Sequence, residues 1–202
     1  VNYMVDESLI AYLGDTPLIR SLFENNFSLD KNHADDYILI ADKLKNIKII
    51  DPACGSGAFP MGLLNRMVDI LLRISPNEKV YDLKLAIIEN CIYGSDIQRI
   101  AAQITKLRFF ISLICSCEKD ATKPNFGIPT LPNLETKFVA ANSLISKKRQ
   151  VSRNLFENPE IEPTKEELTR IRHEHFSAKT ANRKSILREQ DQILREKLAK
   201  LL

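Results

Sequence analysis

Apolar positions follow a helical rhythm through most of the chain, and three short runs of extended character interrupt it. Val1 to Leu13 carries apolar residues at 1, 4, 5, 9, 10 and 13, one face of a helix, with Gly14 placed as its C-cap. Thr16-Pro17 reads as an N-cap followed by Pro at the first helical position, opening a helix over Leu18 to Glu24. A third helix over Ala34 to Leu44 leads into a strand from Lys48 to Asp51. Ala58 to Ile74 is a long apolar helix that Ser75-Pro76-Asn77 breaks, and Asp82 to Glu89 is a short one after it. A second strand starts at Cys91 and ends on Asp96. The helix from Ile97 to Ile114 follows, apolar at 97, 100, 101, 104, 107, 111 and 114, a stripe expected to pack on the sheet. A third strand lies within Asn133 to Ile145. Alternating strands and helices of this kind predict an α/β fold.

Residues from Ser146 onward change character. They hold 14 Lys/Arg against 9 Asp/Glu, net +5, while the chain as a whole is +3. Asn154 to Pro163 reads as a linker, Thr164-x-x-Glu167 as a capping box opening a helix through Phe176, and Arg183 to Leu202 as a further helix. Leu187, Leu194 and Leu201 recur every seven residues, too few for a coiled-coil assignment. Three roles compete for this basic tail: phosphate contacts, a contact between domains or subunits, or a solvated hairpin. The division expected is 1–46 for N-terminal helices, 47–145 for the α/β core and 146–202 for the basic helical insert.

At 202 residues the chain can bury a real core, and 44% apolar with 27% charged residues is ordinary for a soluble globular protein. No run of about 18 apolar residues exists, so no membrane span is expected. Cys54, Cys91, Cys115 and Cys117 form no C-x-x-C pair and read as reduced thiols in a cytoplasmic setting. His33, His173 and His175 make no zinc set, so no metal is implied; His173 and His175 fall on a charged helix and are expected in solvent.

The chemistry concentrates at Asp51-Pro52-Ala53-Cys54-Gly55-Ser56-Gly57-Ala58-Phe59-Pro60. A strand ends in an acid, turns on two glycines and enters a helix, which is where open α/β sheets hold nucleotide-like ligands. A dinucleotide site needs a third glycine where Pro60 stands, and a P-loop needs a lysine that is missing. The run instead resembles motif I of S-adenosylmethionine-dependent DNA amino-methyltransferases, and more narrowly the adenine-specific branch found in type IIG/IIS restriction-modification enzymes. That resemblance implies a partial Rossmann-like methyltransferase core with N-terminal helices and a C-terminal helical hairpin. It implies S-adenosylmethionine as cofactor, bound by Asp51, Pro52, Ala53, Cys54, Gly55, Gly57 and Phe59, with Asp51 and the Gly55–Gly57 backbone at its methionine end. Asp96, ending the second strand, would take the ribose hydroxyls, with Ile97 against the adenine ring. Asn142, after the third strand, would contact the adenine amine; Ala141 stands before it where the family usually has glycine. The helix pattern Ala101-Ala102-Gln103-Ile104-x-Lys106-Leu107-Arg108 also belongs to these enzymes.

The same resemblance makes double-stranded DNA the partner of the parent protein and adenine its methyl acceptor, with an endonuclease as a candidate fusion. Methylating a base amine requires the base to be flipped into a pocket, and the family does this with an Asn/Asp-Pro-Pro-aromatic motif. That motif is missing; Asn158-Pro159-Glu160-Ile161 has one Pro and no aromatic. No catalytic residue is assigned, and the chain is expected to be an inactive cofactor-binding piece of a larger enzyme. An RNA or protein-glutamine methyltransferase, or a non-catalytic α/β scaffold that binds a partner, are the alternatives. A nicotinamide dehydrogenase lacks its third loop glycine.

Overall fold

The computed structural model describes residues 1–145 and 159–201. The first five residues of the expected linker and the Asn158 end of the Asn-Pro string lie outside them. Eight α-helices and three strands are found among the described residues: α1 (Asn2–Leu13), α2 (Pro17–Ser21), α3 (Ala34–Asn46), β1 (Ile49–Asp51), α4 (Ala58–Ile74), α5 (Val80–Asn90), β2 (Ile92–Asp96), α6 (Arg99–Ile114), β3 (Phe138–Ala140), α7 (Ile161–Ser177) and α8 (Ala181–Leu201). The chain divides into two units. One comprises Val1–Ile128 with Lys137–Ser143, and the other Pro129–Thr136 with the described part of the chain from Leu144 onward.

In the first unit the sheet runs β1-β2-β3, all parallel. Asp51 lies opposite Gly94, and Asp96 opposite Ala140. Asp96 lies two positions beyond Gly94, so the period of a strand puts Asp51 and Asp96 on the same face of the sheet. The core beside it is aliphatic. Leu63, Leu64, Met67, Ile70 and Leu71 of α4 are fully buried, as are Ile87 and Ile88 of α5. Each such side chain stabilises the fold by about 2 kcal/mol. Gly62 lets α1 approach α4 closely, since a Cβ there would stand 3.1 Å from Val5 Cγ2.

Local signals explain the element ends. Gly14 adopts the left-handed conformation at the end of α1, and the Thr16 hydroxyl accepts from the Ile19 N–H at 3.2 Å at the start of α2. That helix stops at Ser21, earlier than the pattern implied, and the chain continues in turns.

The stripe of α6 corrects an expectation. Ile97, Ile100, Ile104, Leu107, Ile111 and Ile114 are 40–71% exposed, and the helix buries Ala101, Ala102, Thr105, Phe109 and Leu113 instead. Small and hydroxyl-bearing residues allow α6 to sit close to β3 and to the turn after β1, while its bulkier row points outward.

In the second unit α7 and α8 pack side by side. The capping box is not formed, because α7 begins earlier, at Ile161, and the Thr164 hydroxyl donates back to the Glu160 carbonyl at 2.7 Å. Leu187 is buried and continues into a stripe with Asp191, an acid in the seam. His173 is exposed as expected, but His175 is 1% exposed. The Asn133 side-chain amide lies 2.8 Å from its Nε2, and the Asn133 N–H donates to the Phe176 carbonyl at 2.9 Å. No helix among the described residues is long and apolar enough to cross a membrane.

Candidate functional site

Both strand-tip acids turn into the same loop. Asp51 Oδ1 accepts the Ala53 N–H at 3.1 Å, and Asp96 Oδ2 accepts the Gly55 N–H at 2.9 Å from the neighbouring strand. Asp96 Oδ1 accepts the Gln98 N–H at 2.8 Å, capping the turn into α6. The loop is further stitched to β2 by the Cys54 N–H, which donates to the Ser95 carbonyl at 3.0 Å. The Ser95 and Ser143 hydroxyls both donate to the Pro52 carbonyl.

Thr105 and Arg108 of α6 complete the brace. The Thr105 hydroxyl donates to the Gly55 carbonyl at 3.1 Å, and the Arg108 guanidinium to the Ser56 carbonyl at 3.0 Å. The carbonyls of Pro52, Gly55 and Ser56 are therefore satisfied from the protein side. The N–H groups of Ser56, Ala58 and Phe59 have no acceptor among the described residues, and α4 starts without a side-chain cap. Such uncovered donors at a helix start suit an anionic group.

Two glycines are fixed by geometry. Gly57 has φ +82°, and a Cβ there would lie 2.7 Å from Thr105 Cγ2. Gly94 in the central strand leaves room for Cys54 and Phe138, whose atoms a Cβ would meet at 3.1 and 2.9 Å. Burial raises the pKa of the Cys54 thiol, with the Asp51 and Asp96 charges adding to it. A thiol kept protonated and buried is a packing group, not a nucleophile.

The structure thus brings together Asp51, Pro52, Ala53, Cys54, Gly55, Gly57, Phe59 and Asp96. Ala141 donates its N–H to the Asp96 carbonyl at 2.9 Å, which carries the exposed Asn142 to the same sheet edge. Ile97 is exposed beside Asp96. Sequence reasoning missed Ser95, Thr105, Arg108 and Ser143. The α6 pattern contains Arg108 and spans Thr105, but its hydrogen bonds to the loop become visible only when the helix lies over the turn. A cavity of about 440 Å³ opens between α1 and α4 around Asp6, Asn65 and Arg66 and shares no residue with this loop. Hydrogen-bond geometry, rather than cavity size, marks the candidate site. No cluster of three His, Cys, Asp or Glu among the described residues could hold a metal ion.

The parallel strands β1 and β2, ending on acids around a glycine turn, make this a parallel α/β domain. The chain belongs to the family described as MmeI, DNA-methyltransferase domain, which it matches over residues 28–155. It is 40% identical over 108 residues to a protein of Methanocaldococcus jannaschii whose name describes a type II restriction enzyme and methyltransferase. That alignment covers 52% of this chain and 9% of the relative, so the chain spans a small part of the relative's length. No solved structure matches the chain.

Proposed function

We propose that this chain is the S-adenosylmethionine-binding portion of a DNA adenine methyltransferase from a restriction-modification system. The observation that carries the reading is the pair Asp51 and Asp96, two parallel strand tips bonded to one glycine loop. The donor set fits the cofactor. Uncovered N–H groups of Ser56, Ala58 and Phe59 match the methionine carboxylate, and no phosphate-binding lysine is needed. Asp96 spends one lone pair of each oxygen on the protein, and a carboxylate has about four, so two hydroxyls of a ribose can still be accepted. Asn142 offers an amide that both accepts and donates, as an adenine edge requires.

When bound, the cofactor supplies an electrophilic methyl group. The residues of this chain hold and orient it, and fixing reacting groups in line can remove several kcal/mol of a barrier. The base-flipping and proton-accepting groups lie in the Asn/Asp-Pro-Pro-aromatic motif, which this sequence does not contain. DNA binding and turnover therefore belong to the whole parent protein.

Calorimetric titration tests the reading with the demethylated product, S-adenosylhomocysteine, and its 2′,3′-dideoxy analogue. The wild-type protein should bind the parent compound more tightly than the analogue. Asp96→Ala should weaken binding roughly tenfold or more and erase the preference, as expected when a charge-assisted hydrogen bond is lost. Equal affinity in wild type and Asp96→Ala would remove the ribose assignment, and no binding to the wild type would remove the cofactor.

A further inference from the structure

The second unit contains a cavity of about 240 Å³ that the cofactor reading leaves unused and whose residues it does not share. Two of its lining residues, His175 and Thr136, each carry a buried polar atom without a hydrogen-bond partner among the described residues, Nδ1 and Oγ1. The tautomer of His175 follows from its other nitrogen. The Asn133 amide donates to Nε2, so Nε2 is the acceptor and Nδ1 bears the hydrogen. Nδ1–H is then a buried donor with nothing among the described residues to receive it, a desolvation cost that a bound acceptor would relieve.

The charge around these donors is asymmetric. Arg172 and Arg195 both reach Asp191 through Nε, at 2.8 and 2.7 Å. Arg188 pairs with Glu135. Three guanidiniums against two carboxylates leave one positive charge in surplus, and burial favours the neutral form of His175. Donors thus outnumber acceptors on a cationic wall, within a segment whose net charge from Ser146 onward is +5.

We propose that this cavity binds a phosphate oxyanion. His175 Nδ1–H and the Thr136 hydroxyl are its buried donors, and Arg172, Arg188 and Arg195 supply the charge. A tetrahedral anion with several acceptor oxygens matches donors that arrive from separate helices and from the Glu135-Thr136 segment, and guanidinium forks suit it better than they suit water. The phosphate can come from solution or from the backbone of a nucleic acid.

The test follows the imidazole nitrogens of His175 by NMR in the 202-residue chain, titrated with inorganic phosphate at constant ionic strength set by chloride. A saturable millimolar shift of Nδ1 is expected. Thr136→Val and Arg188→Gln should each weaken it roughly five- to tenfold, the loss expected for one hydrogen bond to an anion, while Thr136→Ser restores it. Lys197→Gln, on α8 but outside the cavity, should change it less than about twofold. A parallel titration with a short DNA duplex distinguishes the sources. If the duplex displaces phosphate and loses affinity in the same variants, the anion is a backbone phosphodiester. If it leaves His175 unmoved while phosphate shifts it, the ligand is free phosphate. No saturable shift into the tens of millimolar would overturn the proposal. So would unchanged affinity in Thr136→Val and Arg188→Gln variants whose amide spectra remain native, or the same shift from chloride alone.

Discussion

The turn between β1 and α4 is held by main-chain groups and two acids, whereas α7 and α8 meet through long charged side chains around a short apolar seam. In the turn, each hydrogen bond fixes a backbone atom at one position, and a Cβ at Gly57 has nowhere to go. In the helix pair, most ion pairs are exposed, and such pairs contribute little individually. The first region should therefore break at single atoms, and the second should yield gradually except at its few buried polar groups.

The sharpest contrast lies within the loop. Gly57→Ala combines left-handed strain with a close approach to Thr105 and should cost about 3 kcal/mol, measured as a lower denaturant midpoint at unchanged slope. Adding Thr105→Ser removes the Cγ2 atom and should return part of that loss. Gly55→Ala meets no neighbour within 4 Å and should cost only about 1 kcal/mol, the backbone part alone. Equal losses at the two glycines would mean that α6 does not press on the turn.

In the helix pair the largest effect should come from Asp191, which both Arg172 and Arg195 use. Asp191→Ala should lose about 1–2 kcal/mol, discounted because both arginines are well exposed. Asp191→Leu should lose less, since it extends the apolar seam from Leu187. A leucine variant weaker than the alanine one would show that the acid itself orders the pair.

His175 adds a pH dependence. Burial lowers its pKa, so the unfolded chain takes up a proton first as pH falls past about 6.5. Its contribution to stability is complete above that value and is lost on going lower, at up to about 1.4 kcal/mol per pH unit. Denaturant curves at successive pH values should show this slope, and His175→Gln should flatten it. Smallest of all, Arg170→Gln, which removes exposed pairs with Glu167 and Glu174, should shift stability by under about 0.5 kcal/mol.

What the sequence revealed depended on how local the signal was. Helix α4 runs from Ala58 to Ile74 as its pattern indicates, because a glycine turn precedes it and Ser75-Pro76 ends it. The two acid-ended strands were equally plain. The orientation of α6 was not, since its largest aliphatics form the more regular row. The helix buries alanines, Thr105 and Phe109 because the loop and β3 need close approach, a demand made by partners some fifty positions earlier and thirty later. The environment of His175 was hidden for the same reason: its partner Asn133 lies 42 residues away and no pattern connects them. Ser143 likewise reaches Pro52 across 91 positions.

The Asp96–Gly55 hydrogen bond has a thermodynamic corollary. Because it spans two strands and is made by the protein alone, the bend surrenders its conformational freedom during folding, not on encounter with a guest. Association at that edge should then carry a small ordering entropy, and severing the tie should appear as a larger entropic penalty in calorimetry even where affinity partly survives.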